Sequence, residues 1–284
     1  MAGSVSGAFF KSRSLLGCIS VSFKFLSDNL LQLLKWGVAL LLPVALVSAL
    51  YGLLRSMAVF ESTGVLWAGI VSCLFCIAGY FCFTALIYAF LKRFSQDGTL
   101  PAFSLKEVGR WVAPELKRVS VSGLFILVVL ALCAAVVFLL CRWSVCTLFA
   151  SVPVLVVCLL PLWGYMMNIY VWEDVSFGKA LAKSFRLGFS TWGTLLAVAL
   201  VSLGVAVWVQ VVFALPFVLS SLAFGASVSS ASGELPSFFP VLVFVFSFIA
   251  VCAVYFSMAV MVVFSAFQYG SAETCRKERL TETA

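Results

Sequence analysis

Residues 33–54, 65–91, 119–141, 145–172, 193–220 and 240–268 are runs of Leu, Val, Phe, Ala and Ile, and Lys35 is the one charge within them. About 20 such residues, as a helix, cross the ~30 Å hydrocarbon core of a bilayer. In hydrocarbon each backbone polar group needs a partner within the protein, so runs of this length fold as helices. Composition agrees with that constraint. A soluble chain is about one quarter charged, whereas these 284 residues are 10% charged and 64% hydrophobic, with a mean hydropathy of +1.17. The expected fold is an all-α integral membrane protein with six transmembrane helices arranged as three hairpins.

The net charge of +7 does not imply nucleic acid, because its distribution follows the spans. Four basic residues (Lys11, Arg13, Lys24, Lys35) come at or before the first span, and six (Lys92, Arg93, Lys106, Arg110, Lys117, Arg118) between the second and third. Lys179, Lys183 and Arg186 separate the fourth and fifth spans, and Arg276, Lys277 and Arg279 follow the sixth. Sixteen of the 18 basic residues therefore share one side, leaving Arg55 and Arg142 on the other. The positive-inside rule makes that side, with both termini, cytoplasmic. The expected location is the cell (inner) membrane, with residues 1–32 an interfacial segment, 33–268 the six-span domain and 269–284 a polar cytoplasmic tail. Lys24 and Asp28 interrupt the apolar pattern before span 1, unlike a cleavable signal, so that span is expected to stay in the protein.

Amphipathic segments are expected on the cytoplasmic side before each odd-numbered span. In the first, Leu15, Ile19, Phe23, Leu26, Leu30 and Leu33 recur at helical steps. In the second, Ser104 and Glu107 fit a capping box, and Pro114 is expected to end or bend the helix before span 3. The third carries Phe177, Leu181, Phe185 and Phe189 on one stripe and Lys179, Lys183, Arg186 and Ser190 on another. A basic stripe opposite an aromatic one suits a helix lying among lipid headgroups. Glu173, with Asp174 or Ser176, is placed at its start, where an acid complements the helix dipole. Residues 22–25 (SFKF) and 184–187 (SFRL) hint at a repeat of interfacial helix, outward span and inward span.

Several chemistries are excluded or disfavoured. With no histidine in the chain, imidazole ligands and imidazole bases are absent. No charged residue occupies the centre of a span, which argues against ion-coupled transport. Asn168 and Gln210 are expected to make interhelical hydrogen bonds. Cys73 and Cys76 fall mid-span and are read as packing residues, with no metal site. Cys141 and Cys146 flank an outer turn and could pair if that side is oxidising. The adjacent acids Glu173 and Asp174 point about 100° apart on a helix, a poor geometry for paired-carboxylate catalysis. No catalytic residue and no cofactor is assigned.

The stretch EDVSFGKALAKSFRLGFSTWGTLL resembles a pattern recurring in uncharacterised bacterial six-span membrane proteins. These are similar to the membrane domain fused to some glycerophosphodiester phosphodiesterases. The resemblance places Glu173, Gly178, Ala180, Leu181 and Ser184 on the shared motif, and the segment KSRSLLGCISVSFKFLSDNLLQLLK resembles the start of related proteins. The hydrolase portion has no counterpart here, so the resemblance implies no catalytic residues. The function expected is that of a non-catalytic multi-pass membrane protein, in envelope organisation or as a subunit of a membrane complex. The alternative is a transporter or binding protein for a neutral or lipidic substrate. Its expected partners are membrane lipids, with anionic headgroups on the cytoplasmic side meeting Lys179, Lys183, Arg186, Arg110, Lys117 and Arg118, and other membrane proteins.

Overall fold

A computed structural model describes residues 9–56, 62–98, 104–141, 153, 156–173, 175–229 and 238–282. The described residues form an all-helical protein without a strand. The helices are α1 (Leu15–Asp28), α2 (Leu30–Ser56), α3 (Ser62–Asp97), α4 (Leu105–Cys141), α5 (Val156–Trp172), α6 (Phe177–Ser190), α7 (Trp192–Ser229) and α8 (Phe239–Glu282). Five of them, α2, α3, α4, α7 and α8, are long and apolar enough to cross a membrane. α5 is shorter, and the residues before it in the expected fourth span lie mostly outside the described set, as do Cys146, Asp174 and the side chain of Cys141.

Two helix boundaries extend beyond those expected. α4 runs from Leu105 to Cys141 with Pro114 inside it, so the second amphipathic segment is the first part of a spanning helix. The proline ring removes one donor, and the carbonyl four residues earlier belongs to Arg110, on the exposed side where solvent can satisfy it. The polar tail expected from 269 is instead the last turns of α8, a helix of 44 residues. Tyr269, Ser271, Ala272 and Glu273 are all buried in it. At 1.5 Å per residue α8 is about 66 Å long, roughly twice the hydrocarbon thickness.

α1 and α6 correspond in register. Both have 14 residues, both follow a serine, and both end at a single non-helical residue, Asn29 or Thr191, before a spanning helix begins. The buried set is Cys18, Ser22 and Phe25 in α1, and Ala180, Ser184, Leu187 and Gly188 in α6. The start of α4 follows the scheme in part: Ser104 precedes it, Val108 and Glu115 are buried at the corresponding places, and Val112, at the place of Ser22 and Ser184, is half-buried. The carbonyls of Ser14, Ser104 and Ser176 accept from the N–H of Cys18, Val108 and Ala180. In both short helices the buried stripe lies about 100° from the apolar stripe read in the sequence. Phe23 and Phe189, on the apolar stripes, remain exposed.

The chain divides into two compact units. Unit 1 comprises residues 1–28, 85–202 and 262–284; unit 2 comprises 29–84 and 203–261. Unit 2 is built from helix segments held by small residues and by hydroxyl groups. Tyr255 donates to the Cys76 carbonyl at 3.0 Å, Ser257 to the Ala206 carbonyl at 3.2 Å, and Ser48 Oγ lies 3.2 Å from Cys76 Sγ. Gly79 permits close approach: a Cβ there would stand 2.9 Å from both Tyr255 Oη and Val44 Cγ2. Gln210 Oε1 is buried with no hydrogen-bond partner among the described residues.

In unit 1, Gly98 at φ 74° stops α3, its N–H closing on the Phe94 carbonyl at 2.9 Å. α5 contains a π turn at Leu162–Met166, directly after Pro161. α6 packs on this region through Gly188, where a Cβ would come within 2.3 Å of Pro161 Cβ and 2.9 Å of its Cα. Leu160, Tyr165, Ile169, Ala180, Leu187 and Leu195 belong to the resulting core.

Candidate functional site

The polar residues of unit 1 are organised by one stripe of α8: Ser265, Gln268, Tyr269, Ala272, Glu273 and Arg276, spaced at helical steps. The first level is neutral. Tyr88 donates to Asn168 Oδ1 at 3.0 Å, and Asn168 Nδ2 donates to the Gly164 carbonyl of the π turn at 2.7 Å and to Ser265 Oγ at 3.2 Å. Asn168 thus joins three helices, the role read for it in the sequence. At the next level Gln268 Nε2 donates to Thr194 Oγ1 at 3.0 Å and to Tyr165 Oη at 3.4 Å, while Tyr165 Oη and Thr191 Oγ1 lie 2.9 Å apart.

The third level is ionic. Lys183 on α6 pairs with Glu173 at the end of α5 and with Glu273 on α8, the latter at 3.1 Å. Tyr269 also donates to Glu173 Oε1. Arg276 holds Glu273 through Nε at 3.1 Å and Nη2 at 2.8 Å, and Lys277 stands 3.8 Å away. The Glu273 side chain is 4% exposed. A carboxylate this buried is tolerated because several cations and hydrogen bonds surround it. A second pair, Lys92 Nζ to Glu115 Oε1 at 2.7 Å, ties α3 to α4.

The site residues read from the sequence are therefore divided. Lys179, Arg186, Arg110 and Lys117 are exposed. Lys183 is turned into the ionic cluster, and Arg118 is half-buried with Nη1 3.5 Å from the Tyr170 carbonyl. Glu173 lies beyond the C-terminus of α5, its N–H on the Ile169 carbonyl at 2.8 Å, and its carboxylate serves Lys183 and Tyr269. Ser176 precedes α6 without a side-chain cap bond. At α4, Ser104 N and Oγ both donate to Glu107 Oε2 at 2.8 Å. Tyr269, Glu273 and Arg276 were missed. The signal for them was the polar stripe of α8, which the reading of a tail hid.

An aromatic plug adjoins the cluster. Phe9, fully buried, stacks on Trp172 with centroids 4.4 Å apart and meets Phe267 at 5.0 Å. Beside it Arg13 N donates to Ser271 Oγ at 3.0 Å, and Ser271 Oγ lies 3.2 Å from the Arg13 carbonyl. Burial lowers the Arg13 pKa from its usual value, with Cys18 opposing, but a guanidinium stays charged. Burial likewise pushes the Cys18 thiol up, against the Ser271 hydrogen bond and Arg13, so the group is held as a neutral thiol.

Chemically, the arrangement fixes an amphipathic helix to two others by ion pairs while leaving basic side chains on its outer surface. Among the described residues no three His, Cys, Asp or Glu side chains gather as a metal site. Compared with known protein families, with curated proteins and with solved structures, the chain matches none.

Proposed function

We propose that this is a non-catalytic, six-span protein of a bacterial cell (inner) membrane, with both termini cytoplasmic and its spans paired as three hairpins. It organises the membrane, or a complex within it, through a basic face against anionic lipid. The observation that carries this reading is the partition of charge between the units. Among the residues with described side chains, Lys35 is the one charged residue of unit 2, whereas every ion pair described lies in unit 1. A unit so sparsely charged suits hydrocarbon, and the ion pairs of unit 1 suit the headgroup layer beside its apolar segments. Exposed Lys179, Arg186, Arg110 and Lys117 are the headgroup contacts, each attracted to anionic lipid by about 1 kcal/mol. The matching registers of α1 and α6, followed in part by the start of α4, support three copies of one unit. The motif at Glu173, Gly178, Ala180, Leu181 and Ser184 belongs with this reading through its resemblance to bacterial six-span proteins.

Reporter fusions after residues 30, 100, 185 and 280 should read cytoplasmic, and one near 230 external. An external signal at 100 overturns the topology. A second reading, binding of a lipidic substrate, is favoured by an apolar recess of about 220 Å³ lined by Ile126, Leu130, Leu160 and Trp163.

A further inference from the structure

Next to the ionic cluster, between the end of α6 and the last turns of α8, lies a cleft of about 420 Å³. Arg186, Arg276 and Arg279 line it together with Ser190 and Thr191, and no carboxylate is among the described lining residues. A second cleft of about 440 Å³ shares Ser190, Thr191, Ala272 and Arg279 with the first and extends past Leu15, Phe189 and Trp192. Each volume falls in the range of about 300–1,000 Å³ typical of small-molecule sites.

The chemistry of the first cleft is directional as well as basic. Glu273 binds Arg276 through Nε and Nη2, which fixes the plane of the guanidinium and leaves Nη1 outside the pair. Arg186 comes from a different helix, and Arg279 lies about one turn beyond Arg276. Three guanidiniums from two helices thus meet around one recess. The hydroxyls of Ser190 and Thr191 already donate to the Leu187 carbonyl, at 2.8 and 2.9 Å, so the arginines supply the recognition. Guanidinium forks match the paired oxygens of a phosphate, and these charge-assisted bonds are stronger than neutral ones. The adjoining cleft offers the apolar rings of Phe189 and Trp192, and Phe189 is 51% exposed.

We propose that the α6–α8 cleft is a specific site for a phosphate-bearing anion, either the headgroup of an anionic lipid or a soluble phosphate. The inference rests on the proposed function only in placing this end of unit 1 near headgroups. It assigns to Arg186 and Arg279 selective recognition that a diffuse basic surface lacks, with Arg276 as the arginine oriented by Glu273.

The test uses the full-length protein in mild detergent, so it does not depend on orientation in a membrane. Native mass spectrometry measures retention of short-chain phosphatidic acid against phosphatidylcholine. The expected result is a preference of about 10-fold or more for phosphatidic acid, reduced about 10-fold in Arg186→Gln/Arg279→Gln. Lys24→Gln, an exposed lysine of α1 outside both clefts, should change it by less than about 2-fold. Arg186→Lys/Arg279→Lys keeps the charge and loses the forks; a clear fall there supports the site, and it carries the test if the glutamine variant aggregates. Inorganic phosphate that displaces the lipid identifies a soluble phosphate as a sufficient ligand. Lipid binding that phosphate does not disturb identifies the headgroup of an amphiphile. Equal retention of both lipids by the wild type with no binding of inorganic phosphate, or a Lys24→Gln loss as large as the double arginine loss, overturns the proposal. A failed cleft test leaves the reporter pattern intact, and an inverted reporter pattern leaves the cleft result intact.

Discussion

Unit 1 and unit 2 bury polar groups by different means. Among the described residues of unit 2, hydroxyls reach carbonyls or a thiol, as at Tyr255, Ser257 and Ser48. Helices there approach closely at small residues such as Gly79. Unit 1 adds formal charge, with one nearly buried carboxylate, Glu273, touching Lys183, Arg276 and Lys277. The contrast follows from solvation. Apolar side chains gain little by leaving lipid, so helices in hydrocarbon associate through close packing and modest hydrogen bonds worth about 0.6–2 kcal/mol. A charge cluster persists only where opposite charges and some water offset desolvation. The partners of Glu273 are accordingly less buried than it is, at 18% exposed for Lys183 and 29% for Arg276.

The largest expected effect is at Glu273. Glu273→Gln removes the shared anion and leaves Lys183 and Arg276 competing for Glu173; the cost should be about 3 kcal/mol, discounted from a fully buried pair by partial solvent access. SDS-induced unfolding in mild detergent would report it, and a shift below about 1 kcal/mol would remove the cluster as an organiser of unit 1. Gly188→Ala comes next. Its new methyl would meet Pro161 at 2.3 Å, and overpacking of that kind costs about 1–3 kcal/mol. Gly178→Ala on the same helix has nothing within 4 Å and should be neutral or slightly stabilising. Equal losses at the two glycines would mean that α6 is not docked through Gly188.

In unit 2, Tyr255→Phe deletes the bond to Cys76 and should cost only about 0.6 kcal/mol. A loss comparable to that at Glu273 would break the contrast between the units. The smallest effect should be that of Lys179→Gln, under about 0.5 kcal/mol in stability, since its side chain is exposed.

Much of this architecture was legible in the chain because apolar length and helical period are local properties. The stretches around 65–91, 193–220 and 240–268 announce their helices without reference to anything else, and so does the 14-residue α6. What each helix packs against was less accessible. The aromatic and basic stripes of α6 suggested an interfacial helix but did not announce its protein contact, which falls to Ala180, Ser184 and Gly188. Glu173 looked like a helix start because Asp174 and Ser176 follow it. Its partners are Lys183, ten residues on, and Tyr269, 96 residues away, and periodicity carries no information over the second separation. Pro114 was read by its usual effect, while continuity of α4 depends on where the unpaired carbonyl points.

The position of Phe9 has a consequence for how the molecule is made. This residue sits between Trp172 and Phe267, so a segment near the start of the chain requires a wall built from residues near its end. Synthesis runs from N-terminus to C-terminus, at about 5–20 residues per second. Phe9 therefore has to wait, for about 13–50 seconds at that rate, until Phe267 of α8 has been synthesised. During that interval Phe9 and Phe10 lack the side of their pocket built by Phe267 and Tyr269, so the seating of this short segment follows the synthesis of α8.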